Sequence, residues 1–444
     1  MIHDQSKTVN REYILKDTNV CLEPVKILLV LNSYNRENSI MESIKHEILT
    51  LRPNATVKIK RFDARGIIRF TFNYRPNVIL SYPFASIGFS YWYYIFKFFM
   101  RLKIVVLRVE GVVDFNNEFN VMSHVGFDKY GKSLVDTEIF WGSKTASVLG
   151  QKLLEQKKIS SAERVKVAGY PRLESYFDTN LHKSPGLPAS LKKSLSGYKK
   201  ENILFFVTGF HMANYSRKNL IEAGDLDADN NMEDLLERVE NSKKIRTEWV
   251  DSIISAAEKN PDMLFLVKKH PSETRENYKD FEDRHNIIFV YDVIDVNAII
   301  PNVGIFFHYG STSLVDAYLS RTLSVYVYSK HNKQWYSDKG WPSSVKANID
   351  DICQVIERYR AGKYLFELTG GMRQVLKDVF NIQDGKPYEP AKHIAHLILE
   401  SSLPQRIKLL DPYLWRAVTG VFIAPKVNRI TYIFKKTFFS REDI

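Results

Sequence analysis

Cysteine is nearly absent from the chain, which has only Cys21 and Cys353 among its 444 residues. Two cysteines so far apart provide neither a disulfide framework nor the ligand spacing of a zinc site, and both are therefore disfavoured. A protein without structural disulfides suits a reducing compartment, so we expect a cytoplasmic protein.

Long apolar runs are also lacking. The first 19 residues are polar, with no secretory signal pattern. Residues 79–100 are rich in aromatic side chains, but Pro83 and Lys97 leave 13 uninterrupted residues between them. A bilayer span needs about 20. We expect a strand, a loop and a largely buried helix there, with contact at a membrane interface as the alternative.

A glycine-rich dinucleotide motif does not follow the first predicted strand, which argues against a dinucleotide site there. The sequence also has no recognisable nucleic-acid-binding motif, and no nucleic-acid partner is predicted. The net charge of +12 suits an anionic ligand, an anionic polymer or a membrane surface without choosing among them.

Continuous apolar segments that alternate with helical patterns are present instead, and they predict parallel strands joined by right-handed crossovers. The length favours two domains. We predict an α/β protein with a polar leader, a Rossmann-like domain, a linker rich in Ser, Lys, Pro and Gly, a second Rossmann-like domain and a helical C-terminal region. The leader covers residues 1–24, the first Rossmann-like domain 25–178 and the linker 179–201. The second Rossmann-like domain covers 202–348, and the C-terminal region covers 349–444.

One candidate anion site lies where an apolar strand near 303–307 runs into a turn and then an apolar-periodic helix. The turn contains Gly310, Ser311, Thr312 and Ser313, whose backbone N–H and hydroxyl groups suit a phosphate at a helix N-terminus. The alternative is an ordinary helix cap, because Ser and Thr are common there.

A second candidate lies at the end of another apolar strand, which is followed by Lys268, Lys269, His270 and Pro271. In an open α/β sheet, ligands bind outside the carboxyl ends of the strands. The two strand ends together predict a site for a nucleotide mono- or diphosphate. Because side chains alternate along a strand, we expect only one of the two lysines to face the ligand.

Five segments in this order resemble bacterial surface-carbohydrate glycosyltransferases of the GT-B fold, in particular sialyltransferases and capsular Kdo transferases. They are Glu110-Gly111, Gly169-Tyr170-Pro171-Arg172, residues 206–214, Lys269-His270-Pro271-Ser272-Glu273 and Tyr309-Gly310-Ser311-Thr312-Ser313. Tyr170 departs from the more usual Gly-Asn-Pro-Arg, and the last hundred residues are not covered. The resemblance implies two Rossmann-like domains facing each other across a cleft, and a CMP-activated acidic sugar as donor. It further implies a surface polysaccharide acceptor and neither cofactor nor metal.

His270 could donate a hydrogen bond to the leaving phosphate while Lys268 or Lys269 supplies positive charge. Glu110 follows a predicted strand of the first domain, where it could act as general base or as nucleophile; a salt-bridged strand end is the alternative. A rival carboxylate cluster comprises Asp225, Asp227 and Asp229.

Three further residues are candidate donor ligands: His211, Asn214 and Arg172. The first two could equally cap a turn, and Arg172 could equally form a linker salt bridge instead of a bidentate contact to the donor.

Two other interpretations stay open: the same fold with a UDP-sugar or CDP-polyol donor, and a non-catalytic carbohydrate- or nucleotide-binding component of an assembly complex. Residues 411–444 are basic and aromatic, with five cations and no carboxylate in 413–439. Such segments favour anionic headgroups, so we predict peripheral contact with the inner membrane and a lipid-linked acceptor. The alternative is a tail that folds back onto the first domain.

Overall fold

The computed structural model describes residues 24–31, 34–61, 64–82, 87–108, 134–157, 159–177, 187–216, 232–270, 273–281, 284–291, 294–332, 342–383 and 385–400. Within them the chain forms two six-stranded sheets, and all of the strands are parallel to their neighbours. The prediction of two Rossmann-like α/β units is confirmed. None of the helices described is both long and apolar enough to cross a bilayer.

The first sheet has the strand order β2-β1-β3-β4-β5-β6. Its strands β1 to β6 are Lys26–Leu31, Thr56–Arg61, Val78–Ser81, Lys103–Leu107, Thr137–Phe140 and Val165–Val167. Helices α1 to α4 are Tyr34–Leu51, Ala64–Tyr74, Ile87–Met100 and Ser143–Glu155.

Both faces of this sheet are covered, which explains why β1 is apolar throughout. Ile27, Leu29 and Leu31 pack in the cluster that contains residues of α1. Leu28 and Val30 point to the other face and pack with residues of α2 and α3. Successive side chains of a strand alternate between faces, so a strand covered on both sides shows an unbroken apolar run.

The second sheet has the order β12-β11-β10-β7-β8-β9. Strands β7 to β12 are Ile203–Val207, Leu264–Lys268, Ile287–Val290, Ile305–His308, Leu323–Tyr328 and Val345–Asn348. Helices α5 to α8 are Ala189–Leu195, Met232–Lys259, Val296–Ile299 and Leu314–Leu319. Strand order reverses between β7 and β10, and such a reversal opens a binding crevice at the strands' carboxyl ends.

The C-terminal region contributes α9, α10 and α11, which span Ile352–Arg360, Gly370–Phe380 and Pro390–Leu399. Helix α10 packs against α4, and α11 packs against α1, so the chain returns to the first sheet. Buried Glu174 accepts a hydrogen bond from Ala391 N at 2.6 Å. Lys103 Nζ donates to the carbonyl oxygens of Leu397 and Glu400 at 3.1 and 3.0 Å, which caps the end of α11.

The predicted linker contains α5. Leu191 and Leu195 lie one turn apart on this helix, and both are buried in the core cluster they share with β7. The segment therefore packs, despite its polar composition. The domain bounds themselves stay predictions.

Candidate functional site

A cavity of about 180 Å³ lies between the two sheets, at the carboxyl ends of β7, β8 and β10. Residues of the first half, of the second half and of α10 border it. They include Trp141, Tyr170, Arg172, Thr208, Lys268, Lys269, His270, Asp295, Ser311, Thr312, Ser313 and Phe380. The structure thus brings together the two strand ends that the sequence singled out.

Glu273 organises the loop after β8, and it is 3% exposed. Its carboxylate accepts hydrogen bonds from the hydroxyl of Thr208, from Phe210 N at 2.9 Å, from His270 N at 3.0 Å and from the hydroxyl of Tyr278 at 2.6 Å. Thr208 Oγ1 also accepts from His270 N at 2.9 Å. This network ties the loop after β7 to the loop after β8, which fixes the backbone of His270 at the cavity.

Both lysines of the motif border the cavity, whereas strand alternation predicts that only one does. The difference arises because β8 ends at Lys268, so the alternation stops there. Lys269 Nζ donates to the carbonyl oxygens of His270 and Glu273, at 3.3 and 2.9 Å. Both acceptors are neutral, so the positive charge of Lys269 stays uncompensated by them.

The turn after β10 is held by His308, which is 2% exposed. Burial lowers the pKa of His308 to about 3, so the ring is neutral near pH 7. Its Nδ1 accepts from Ser311 N at 3.3 Å, which leaves the ring proton on Nε2, 3.0 Å from the hydroxyl oxygen of Ser343. His308 therefore positions the hydroxyl-rich turn.

Two backbone N–H groups of this turn are used internally: Ser311 N by His308, and Ser313 N by the hydroxyl of Ser311 at 3.2 Å. Within the described part of the chain, the N–H groups of Gly310 and Thr312 have no acceptor. Gly310 has a positive φ of 71°, a conformation that glycine adopts without strain. Helix α8 spans only six residues, so these amides matter more than a helix dipole.

An aromatic wall closes the first-domain side of the cavity. The rings of Trp141 and Tyr170 stack with centroids 3.8 Å apart, and Phe380 stacks on Trp141 at 5.9 Å. The Tyr388 hydroxyl fixes Tyr170 by accepting from its backbone N at 2.8 Å. Trp141 is 3% exposed, and its indole N–H is a buried donor that has no acceptor among the described residues. A buried donor of this kind gains free energy when a ligand supplies an acceptor.

Arg172 bridges the two halves. Its guanidinium donates to Asp295 at 2.8 Å and to Asp316 of α8, and the Tyr176 hydroxyl donates to Asp316 at 2.9 Å. Asp316 is fully buried; burial raises the pKa of its carboxyl group, and the charge of Arg172 opposes that rise. These contacts match the salt-bridge alternative for Arg172. Arg172 also borders the cavity, and its Nε is a buried donor that lacks an acceptor within the part of the chain that the structure describes.

Asn214 lies away from the cavity lining. It is exposed, and its side-chain oxygen accepts from Arg246 and Asn277 at 2.9 and 2.8 Å. His211 begins the short helix His211–Asn214 after β7, and its side chain lies outside the described residues. Glu110, the cluster Asp225, Asp227 and Asp229, and the tail 411–444 also lie outside the described residues. Their predicted roles stay predictions.

Sequence reasoning missed several members of the site: Trp141, Asp295, Asp316 and the central carboxylate Glu273. One signal was present for Glu273, because it lies five residues after the buried strand β8, inside the motif that drew attention to His270. Trp141 directly follows β5, and the strand-end rule could have found it.

Solved structures with a similar fold support the architecture. A Staphylococcus aureus protein, MnaA, in a co-structure with UDP aligns with a TM-score of 0.50 and 13% identity, over 86% of this chain and 100% of that chain. The wall teichoic acid polymerase TagF, soaked with CDPG, aligns with a TM-score of 0.50 and 8% identity, over 84% of this chain and 87% of that chain. The chain has the GT-B fold.

At such low identities these likenesses establish the fold alone. No protein-family model and no curated protein matches the sequence. The resemblance to Kdo transferases and sialyltransferases finds no support among these neighbours. What the GT-B cleft of this chain does must therefore be argued from its own residues.

Proposed function

We propose that the protein is a transferase of surface-glycan biosynthesis that binds a pyrimidine-nucleotide donor in the cavity between its two sheets. A diphosphate donor, either a UDP-sugar or a CDP-polyol, takes precedence over the CMP-linked acidic sugar that the sequence resemblance implies. The proposal is supported by two strand ends with candidate phosphate ligands that meet at one cavity, at the point where strand order reverses.

Two anion-binding groups flank that point. One is the cationic end of β8, with Lys268, Lys269 and His270. The other is the turn after β10, where the N–H groups of Gly310 and Thr312 have no acceptor among the described residues. A CMP-linked donor has one phosphate, whereas a UDP or CDP donor has two. Two separate groups at one cavity suit two phosphates better. The ligands of the two GT-B neighbours, UDP and CDPG, agree with this order of preference.

Catalysis in such a site consists of stabilising the charge that develops on the leaving phosphate. Two observations support His270 as the donor to that phosphate: it borders the cavity, and Glu273 and Thr208 hold its backbone N–H at 3.0 and 2.9 Å. Lys268 or Lys269 would add positive charge on the same side. The acceptor hydroxyl would enter from the first domain, where Glu110 is the candidate base.

The donor class is tested by incubating the full chain with UDP-, CDP-, GDP- and CMP-linked donors and measuring turnover by mass spectrometry. Consumption of a UDP or CDP donor is expected. Exclusive use of a CMP donor would restore the acidic-sugar interpretation. Donor binding without turnover, with every candidate acceptor, would favour the non-catalytic component.

His270→Ala tests the catalytic assignment. Transfer should fall by about 10²-fold or more, because a donor to the developing charge is removed. The melting temperature should stay nearly constant, because the structural contacts of His270 that hold the loop are made by its backbone N–H. His285→Ala, at an exposed histidine two residues before β9 and outside the cavity lining, is the matched control and should leave both values unchanged. Full turnover in His270→Ala would remove His270 from the mechanism.

A further inference from the structure

The positive charge of this protein is concentrated in one part of the first domain. Residues 52–108 contain eleven Lys and Arg residues and a single acidic residue, Asp63, so they carry ten of the twelve net positive charges. Residues 64–103 contain no Asp or Glu at all. This stretch forms α2, β3, α3 and the start of β4, with α2 and α3 together on one face of the first sheet.

Three of these cations are committed to the interior. Lys97 forms a buried ion pair with Asp136, Arg108 pairs with Glu138 at 2.9 Å, and Lys103 caps α11. Others are exposed on the surface, including Lys60, Arg69, Arg75 and Arg101. The buried acidic partners therefore pair with the interior cations and do not neutralise the charge of these exposed side chains.

The same surface exposes large aromatic side chains. Phe99 is 69% exposed and Phe72 is 43% exposed. Trp92 and Phe99 lie two turns apart on α3, and Phe72 of α2 contacts Trp92 and the buried Phe96 edge-on, with centroids 5.8 and 4.9 Å apart. Exposed aromatic side chains rimmed by cations are typical of a membrane interface. We name Lys60, Arg69, Phe72, Arg75, Phe99 and Arg101 the α2–α3 face.

The last 44 residues of the chain start beside this region. Lys103, two residues beyond Arg101, binds the carbonyl oxygen of Glu400, which immediately precedes residues 401–444. Those residues contain eight Lys and Arg and three acidic residues. A tail of net charge +5 is electrostatically unsuited to cover a positive face. An anionic surface complements both.

We propose that the α2–α3 face docks on an anionic lipid bilayer, with the aromatic side chains of Phe72 and Phe99 entering the headgroup region. Each Lys or Arg near such a surface is attracted to it, and the exposed rings add apolar contact. The inference rests on the charge and exposure of the first domain, and it holds whatever donor the cavity binds.

Glycine substitutions give a test that spares the fold. Arg75 and Arg101 have positive φ, at 52° each, and glycine adopts that conformation more easily than arginine. Arg75→Gly/Arg101→Gly therefore removes two charges from the face without a stability penalty. Lys157→Gly/Arg321→Gly is the matched control, because both residues are exposed cations with φ of 57° and 55° on other parts of the molecule.

Co-sedimentation of the full chain with phosphatidylglycerol-containing vesicles should show strong binding at low salt and little binding to pure phosphatidylcholine. The Arg75→Gly/Arg101→Gly variant should bind about 30-fold more weakly, because each charge contributes about fivefold, whereas the control variant should bind about as well as wild type. Equal loss in the two variants would show a response to net charge alone and would overturn the proposal. Unchanged binding in both would transfer the role to the tail and overturn it too.

Phe99→Ser tests the aromatic contribution, with Leu365→Ser, at an 82% exposed leucine of the C-terminal region, as its control. Phe99→Ser should lower vesicle binding several-fold, and Leu365→Ser should not change it. An equal effect of the two substitutions would contradict insertion of this face. Because no donor is present, the outcome is independent of the donor assignment.

Discussion

Replacement of Arg172 by Met should destabilise the contact between the two halves of the protein. The substitution removes the cation and keeps an apolar chain of similar length. It leaves the carboxylate of Asp316 fully buried, with only the hydroxyl of Tyr176 as a described side-chain donor. Breaking a buried ion pair from one side costs about 3–5 kcal/mol. Because Tyr176 remains, we expect a loss near the lower end, about 3 kcal/mol.

The loss of unfolding free energy should depend on pH, and the direction of this dependence follows from the pKa of Asp316. Burial raises this pKa above its ordinary value of 3.8, and Arg172 opposes the rise. Removing Arg172 raises the pKa further, so the folded variant binds a proton more readily than the unfolded chain does. Protonation removes the unpaired charge. The deficit relative to wild type is therefore full above the raised pKa and shrinks as the pH falls through it.

Urea unfolding at pH 7.5 and pH 5, followed by circular dichroism, measures both effects. Asp316→Asn in the Arg172→Met background should recover part of the loss, because a neutral amide needs no counter-charge. Arg360→Met is the matched control: Arg360 and Asp262 also lie 2.8 Å apart, but both are about half exposed, and such a pair contributes about 0.5 kcal/mol. A cost of Arg172→Met no greater than that of Arg360→Met, or a cost that grows as the pH falls, would refute the predicted role of this ion pair.

Three further predictions concern the rest of the site and the domain contact. Glu273→Gln should lower the free energy of unfolding by about 3 kcal/mol in the same urea assay, because an amide cannot accept all four hydrogen bonds of the carboxylate; a neutral result would contradict the assigned network. Glu110→Gln should abolish transfer while donor binding, measured by calorimetry, persists; an active Glu110→Gln beside an inactive Asp225→Asn would relocate the catalytic carboxylate. Gly142→Ala should lower the melting temperature, since its Cβ would lie 2.2 Å from the carbonyl oxygen of Asp378 and overpacking costs about 1–3 kcal/mol. Gly197→Ala, where a Cβ would meet nothing within 4 Å, is its control.

The sheets were predictable because their strands are buried on both faces. An unbroken apolar run such as 203–207 or 264–267 identifies a central parallel strand without knowledge of its neighbours. Strand β12 was not predicted. It spans Val345–Asn348 at the sheet edge, and only Ala347 of its four residues is buried. A strand at the edge of a sheet has a neighbouring strand on one side only, and fewer of its side chains are buried. Its sequence therefore lacks the unbroken apolar run that identifies a central strand.

The part of the site formed by strand ends was predictable, because the rule that ligands bind at the carboxyl ends of parallel strands depends only on strand positions. It placed Lys268 to His270 and Ser311 to Ser313 together, and the structure brings them to one cavity. The rule says nothing about which charged residues are buried. Arg172 and Asp316 are 144 residues apart in sequence, and pairing over such a distance depends on how the two domains dock.

That pairing changes how charge is distributed in the cavity. Arg172 faces two carboxylates, Asp295 and Asp316, so the first-domain wall carries no excess positive charge from it. Lys268 and Lys269 lie on the second-domain wall, where the described hydrogen bonds of Lys269 go to neutral carbonyl groups. Among the described residues, the excess positive charge at the cavity therefore lies on the second-domain wall, which attracts an anion to that side. This asymmetry supports the proposal that phosphate lies beside β8 and β10 and that the aromatic wall of Trp141 and Tyr170 contacts the less charged part of the ligand.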